Sequence, residues 1–304
     1  MLKNVNEPNR THSSFRTNLP NYILLAPFVI LFMCFTVIPI VSSVVLSFFN
    51  FDMINMPSFI AFDNYKRMLV GDKSFLVILK NTIILAVITG PLGFMFAFVL
   101  AWFLNEFRPA VRTVLSFMFY APSLVGNAFF IWQVAFSNDS YGYANSLLLS
   151  IGAISEPVQW LKNAEYVMPI VIMVQLWQGM GVSFLANISG LQNINDEMYE
   201  AGAIDGIRNR WQELWYITLP SMKSMLMFSS VMQIAAAFSI SAIPKTLAGY
   251  PSVNNSVDTV VSYLADVGNV KYELGYASAI SVLLFAMMFL TRTFVAKLLN
   301  KTGK

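Results

Sequence analysis

Long apolar runs alternate with short polar stretches along nearly the whole chain. Six runs reach the ~20 helical residues that cross a hydrocarbon core about 30 Å thick: roughly 22–49, 75–104, 112–136, 166–190, 217–243 and 274–299. Leu, Ile, Val, Phe, Met and Ala dominate each of them. A membrane barrel would instead alternate apolar and polar residues over segments of ~10. Backbone groups in lipid must be satisfied within their own segment, which leaves helices. The pattern predicts an all-α, polytopic membrane protein with six transmembrane helices. Residues 1–20 form a polar tail and residues 21–304 a single membrane domain. The run that starts at Tyr22 is about twice as long as the apolar part of a signal peptide, so it reads as an uncleaved first span. The segments 50–74, 137–165 and 244–273 carry Pro57, Gly71, Gly142, Pro157, Gly249 and Pro251, which predicts turns and short surface helices.

Composition agrees with this picture. The chain of 304 residues is 57% hydrophobic and 12% charged, against about 25% charged in a typical soluble domain. That leaves too little polar side-chain surface to cover a water-facing globule. A net charge of +3 gives no reason to expect nucleic acid as a partner. The single cysteine, Cys34, lies in an apolar run, and the single histidine, His12, lies in the tail. Internal disulfides and cysteine metal clusters are therefore excluded, and histidine-based metal sites and serine–histidine triads are argued against.

Lysine and arginine placement sets the orientation. With the N-terminus in the cytoplasm, the inner set is Lys3, Arg10, Arg16, Arg108, Arg112, Arg208, Arg210, Lys223, Arg292, Lys297, Lys301 and Lys304. The outer set is Lys66, Arg67, Lys73, Lys80, Lys162, Lys245 and Lys271. The ratio of 12 to 7 accounts for all 19 basic residues and favours this arrangement. It places the 191–216 loop in the cytoplasm.

The spans contain no Asp or Glu between their ends. Proton-coupled carriers and pumps usually rely on an intramembrane carboxylate or histidine. A phosphate-binding loop of the form G-x-x-x-x-G-K-[ST] is also missing, so the chain is not read as its own ATPase or as any other enzyme. Energy for uphill transport would have to enter from outside the bilayer. The alternative, a secondary carrier for a neutral polar solute, would need a coupling-ion site. Deeper polar groups are neutral: Asn127, Gln133, Gln175, Gln178, Asn187, Ser229, Ser230, Gln233, Ser239 and Ser241. Trp132 and Trp177 lie beside some of them. Amides and hydroxyls near aromatic faces suit an uncharged polyhydroxylated ligand such as a sugar. They also suit hydrogen bonds between helices. Asn127, Trp132, Trp177, Gln178 and Gln233 are the candidate path residues. Gly90-Pro91 interrupts the second span and predicts a packing kink, with a hinge as the alternative.

The most informative polar stretch runs Asn193-Ile-Asn-Asp-Glu-Met-Tyr-Glu-Ala-Gly-Ala-Ile-Asp-Gly206. Asn195 or Asp196 can cap a helix, Glu197 and Glu200 favour the positive end of its dipole, and Gly206 is a stop signal. Tyr199, Ala203 and Ile207 share a face at i, i+4, i+8, a modest apolar stripe for a partner's groove. Five carboxylates between 193 and 216 face only Arg208 and Arg210, so anionic lipid headgroups should repel the segment.

Glu200-Ala201-Gly202, then Gly206, then Ile217, Leu219 and Pro220 resemble the EAA loop of ATP-binding-cassette importer permeases. Gly202 stands where that pattern has a second alanine. Phe62-Asp-Asn-Tyr65, Asn81-Thr82, Tyr120-Ala-Pro-Ser123 and Gly275-Tyr-Ala-Ser278 are similar to stretches of the family's carbohydrate branch, in the same order. The tail and the Phe-Asp-Asn-Tyr stretch resemble the first permease subunit of a heterodimer. The resemblance implies a type I importer permease fold with Glu200, Ala201, Gly202, Asp205 and Gly206 as the coupling residues. It implies a second permease subunit, two ATPase subunits that bind ATP and Mg, an extracytoplasmic solute-binding protein, and a sugar or oligosaccharide as cargo. No cofactor or metal is expected in this chain.

Overall fold

The computed structural model describes residues 19–301. Most of the expected tail, residues 1–18 with Lys3, Arg10, His12 and Arg16, lies outside the described residues, as does Lys304. Leu19 and Pro20 already belong to the first helix.

Twelve helices organise the described chain, together with several shorter turns. They are α1 (Leu19–Leu46), α2 (Lys73–Asn105), α3 (Pro109–Leu124), α4 (Phe130–Ala135), α5 (Tyr143–Ser150) and α6 (Ala164–Gln178). Next come α7 (Gly181–Gln192), α8 (Asp196–Ile204), α9 (Lys223–Phe238), α10 (Ala242–Ala248), α11 (Val260–Asn269) and α12 (Leu274–Lys301). Two residues each of β1 (Phe49–Asn50) and β2 (Ser58–Phe59) pair antiparallel, with Phe49 opposite Phe59. The described residues hold no other strand, in keeping with the all-α expectation.

Four helical segments are long and apolar enough to cross a membrane: Leu19–Leu46, Lys73–Asn105, Lys223–Ala248 and Leu274–Leu299. α6 and α7 add a fifth if the pair, bent by 40°, is taken as one span. The expected sixth, 112–136, divides into α3 and α4. α3 ends at Leu124, and Val125 turns to an extended conformation at φ −88°, ψ 99°. Gly126 and Asn127, both weak helix formers, carry the chain into α4. α2, by contrast, runs through Pro91 as one helix of 33 residues.

α2 is the central strut. The side chain of Asp72 accepts from the Phe75 N–H at 3.0 Å and caps its start. Its buried positions, among them Leu85, Thr89, Gly93, Ala97, Ala101 and Leu104, recur every three or four residues and turn one face to α7 and α9. α12 packs against α9, α11 and the Ile38–Leu46 half of α1. No residue of α1 is buried.

The family-like stretches fasten the end of the bundle where α2 begins. Asn64 Nδ2 donates to the carbonyls of Ser47 (2.9 Å) and Phe49 (3.0 Å). Asn81 Nδ2 donates to the Asn255 carbonyl at 2.6 Å, and the Val260 N–H donates to Thr82 Oγ1 at 2.9 Å. Tyr263 and Tyr276 both donate to Asp72 Oδ2. Arg67 pairs with Glu273 at 2.7 Å and lies 4.1 Å over the Tyr276 ring. Burial opposes ionisation of Asp72, but the Tyr263, Phe75 and Tyr276 donors and the Arg67 charge outweigh it and hold the carboxyl below its ordinary range.

Candidate functional site

Two regions carry the candidate residues: the α8 loop and a cavity among broken helices. Asn195 caps α8 by accepting from the Glu197 N–H at 3.2 Å. At the other end Ile207 N–H donates to Gly202 C=O at 2.9 Å and Gly206 N–H to Ala203 C=O at 3.3 Å. This is a Schellman ending, with Gly206 at φ +93° in the left-handed position that glycine adopts without strain.

Gly202 is buried, and its bare face points into the chain. A Cβ there would stand 2.6 Å from Ile217 Cδ1 and 3.1 Å from Ile207 Cδ1. Tyr199 Oη lies 3.0 Å from Thr218 Oγ1. α8 is thus seated on the Leu214–Thr218 turn through Tyr199, Gly202 and Ile207. The expected outward stripe of Tyr199, Ala203 and Ile207 is not formed; Tyr199 and Ile207 are half-buried and only Ala203 is exposed. Glu200, Ala201, Asp205 and Gly206 do face outward. The large apolar group presented beside them is Ile204, 87% exposed, which the i, i+4 reading passed over.

The base of the loop is braced against α2. Arg210 donates to Glu213 and Glu106, both at 2.8 Å, and the Trp102 and Trp211 rings lie 5.6 Å apart. α8 therefore sits on a support shared with the end of the central helix.

The cavity, about 260 Å³, is lined by Ser123, Gly126, Gln175, Gln178, Ser239 and Ser241 among others. It lies where three helical paths break together: after α3, between α6 and α7, and between α9 and α10. Irregular backbone at membrane depth is tolerated where it is buried in protein or faces a wet cavity, and discontinuous helices build substrate sites in many transporters. Gln178 Oε1 has no partner among the described residues.

A second cavity, about 300 Å³, is lined by Gln133, Ser137, Asn138, Lys162 and Thr246. One apolar cluster walls both. Phe129, Ile240 and Ile243 line the first cavity, Leu161 and Leu247 the second, and all five belong to the same buried group.

Of the path candidates, Gln178 lines the first cavity. Asn127 is exposed on the turn whose Gly126 lines it. Trp132 and Trp177 meet edge to face at 5.6 Å, and Trp132 packs on the apolar cluster. Gln233 is 4% exposed and is tied between helices, close to Ser183 and donating to Thr89 O at 3.4 Å. Ser239 and Ser241, which belong to the deeper polar set but not to the five path candidates, also line this cavity, and so does Ser123 of the Tyr120-Ala-Pro-Ser123 stretch.

Broken spans around a partly polar cavity, with a braced helix at one end of the bundle, fit a membrane transport protein. Residues 89–302 match the family described as "binding-protein-dependent transport system inner membrane component", and the chain belongs to that family. It is 35% identical to a "probable ABC transporter permease protein YesP" of Bacillus subtilis over 75% of this chain and 73% of that one. Identity is 29% to the "arabinooligosaccharides transport system permease protein AraP" of the same organism, over 91% of this chain and 87% of that one. Among solved structures, a chain of a bacterial importer of the acidic polysaccharide alginate superposes with a TM-score of 0.77 at 22% identity, covering 95% of this chain and 98% of that one. The fold is that of an ABC importer permease, and the chain is a multi-pass membrane protein.

Proposed function

We propose that this permease moves a sugar or oligosaccharide inward, driven by ATP hydrolysed on partner subunits. The partners are a second permease subunit, two ATPase subunits and an extracytoplasmic solute-binding protein. The N-terminus and the α8 loop lie in the cytoplasm. Glu200, Ala201, Ile204 and Asp205 form the face that enters a cleft of an ATPase subunit. Gly202 and Gly206 shape the helix rather than touch the partner. The cargo passes the cavity lined by Gln178, Gln175, Ser123, Ser239 and Ser241. Neutral amides and hydroxyls can bond sugar hydroxyls there without a charge to desolvate.

The observation that carries this reading is the seating of α8: its inner face is locked to Ile217 and Thr218 while its acidic face stands free. The named relatives, the arabinooligosaccharide permease among them, support the choice of cargo. The test is co-purification from cells that make this chain with its candidate ATPase, followed by ATP-dependent uptake of labelled oligosaccharides in vesicles. An ATPase that never associates with this chain, or uptake that ignores ATP, would refute the reading.

A further inference from the structure

The Leu214–Thr218 turn has two faces. Ile217 and Thr218 are buried and form the seat of α8. Trp215 and Tyr216 stand on the other side, 63% and 73% exposed, and Trp211, one turn before Trp215, is 65% exposed. Three large aromatic side chains are thus free beside that seat.

Their height is set by α2. The Trp211 ring lies 5.6 Å from Trp102 in the last turn of α2, where the apolar run ends at Leu104 and Asn105 and Glu106 follow. From Trp211 the chain continues through Trp215 into α9. The aromatics therefore lie where hydrocarbon gives way to water. Trp and Tyr are enriched at that level because each ring buries an apolar body and keeps a polar tip wet.

Charge completes the site. Five carboxylates between 193 and 216 argued against anionic lipid, but the fold separates them. Asp196, Glu197, Glu200 and Asp205 ride on α8 and its ending. Glu213 alone stays beside the aromatics, and Arg210 holds both it and Glu106 at 2.8 Å. Arg108 and Arg208, two residues from Glu106 and Arg210, are exposed and form no ion pair among the described residues. Over residues 105–112 and 206–216, four arginines against two glutamates leave a net charge of +2. The cluster is continuous with the lipid-facing ends of the spans, so lipid reaches it without a further protein.

We infer that Trp211, Trp215 and Tyr216, with Arg108 and Arg208, bind the headgroup of an anionic phospholipid of the cytoplasmic leaflet, and that the bound lipid steadies the seat of α8. The guanidinium groups take the phosphate, and the rings lie at the headgroup level. Trp215 and Tyr216 share one short turn with Ile217 and Thr218, so a lipid that fixes the outer face also fixes the face that carries α8. This inference rests on the proposed cytoplasmic placement and coupling role of α8.

Two measurements test it. The first uses the purified full chain in nanodiscs. The probes are phosphatidylglycerol and phosphatidylcholine with brominated acyl chains, which quench the tryptophans they touch. At equal fractions the brominated phosphatidylglycerol should quench more strongly. Trp215→Phe should shrink that excess. Arg108→Gln with Arg208→Gln should reduce it at least about fivefold, the effect of one arginine near an anionic surface. Equal quenching by the two lipids, or an excess that survives both changes, would overturn the site. Tryptophans that neither lipid quenches would show that protein or water covers the cluster, which also overturns it. The second measurement uses the assembled transporter in vesicles with and without phosphatidylglycerol. Solute taken up per ATP hydrolysed should rise about fivefold with phosphatidylglycerol in the wild type and stay flat in the double arginine variant. An equal ratio in both vesicles would refute the link to α8 and leave the proposed function standing. If no ATPase associates with the chain, the proposed function fails, while the quenching measurement still decides the lipid site.

Discussion

Gly202 lies so close to Ile217 that a Cβ on it would stand 2.6 Å from Ile217 Cδ1. The missing side chain is what lets α8 rest on the Leu214–Thr218 turn. The obstructing atom is the far end of a flexible side chain, so one methyl can be accommodated by rotating Ile217. Alanine also favours the helix over glycine by about 1 kcal/mol. Gly202→Ala should therefore be nearly neutral in melting temperature and uptake. Gly202→Leu has nowhere to go and should lift α8 from its seat, abolishing ATP-driven uptake while the protein still inserts. Comparing both variants in membrane fractions checks this; equal activity of the two would remove the seating argument.

Glu200 is exposed on the free side of α8. Glu200→Arg reverses a charge there without touching the seat. Uptake should fall at least about tenfold, the scale of a lost charged contact at an interface, with insertion and melting temperature unchanged. ATP hydrolysis should continue, uncoupled from transport. Unaltered uptake in vesicles would exclude Glu200 from the coupling face.

Asp72 joins α2 to Tyr263 and Tyr276. Its folded pKa is depressed, so its stabilising effect is complete above the unfolded carboxylate value of about 3.9 and fades as pH falls through the lower folded value. Thermal melts of the wild type should lose stability below about pH 4. Asp72→Asn should lower the melting temperature at neutral pH and weaken that acid dependence. An identical pH profile in the variant would show that Asp72 does not carry it.

Gln178 is the path candidate that lines the first cavity, with Oε1 unpartnered among the described residues. Gln178→Leu removes an unpaired polar group and should leave the fold intact or firmer. It should weaken solute handling about tenfold, the order expected for one lost hydrogen bond to a ligand. Uptake measured against solute concentration would read this directly, and an unchanged curve would take Gln178 out of the path.

Much of the fold was legible because a bilayer fixes how long an apolar run must be. α1, α2, the α9–α10 segment and α12 all follow from run length alone. The division of the 112–136 run was not legible from composition, which is apolar throughout; the helix breaks at Val125, and Gly126 and Asn127 follow beside the cavity. In α8 the cap at Asn195 and the stop at Gly206 were readable, since each is a local backbone need met by one residue type. Its orientation was not. The inward face is marked by the absence of a side chain at Gly202, and a search for apolar spacing finds presences. Gln233 and Gln178 look alike in sequence, but one joins helices and the other lines a space. Only packing separates them.

Ile243 and Leu247 stand one turn apart on α10, each in the wall of a different chamber. A single seven-residue segment thus serves as the back of both rooms. The two residues share one face of that segment, so any tilt of it reshapes both compartments at once.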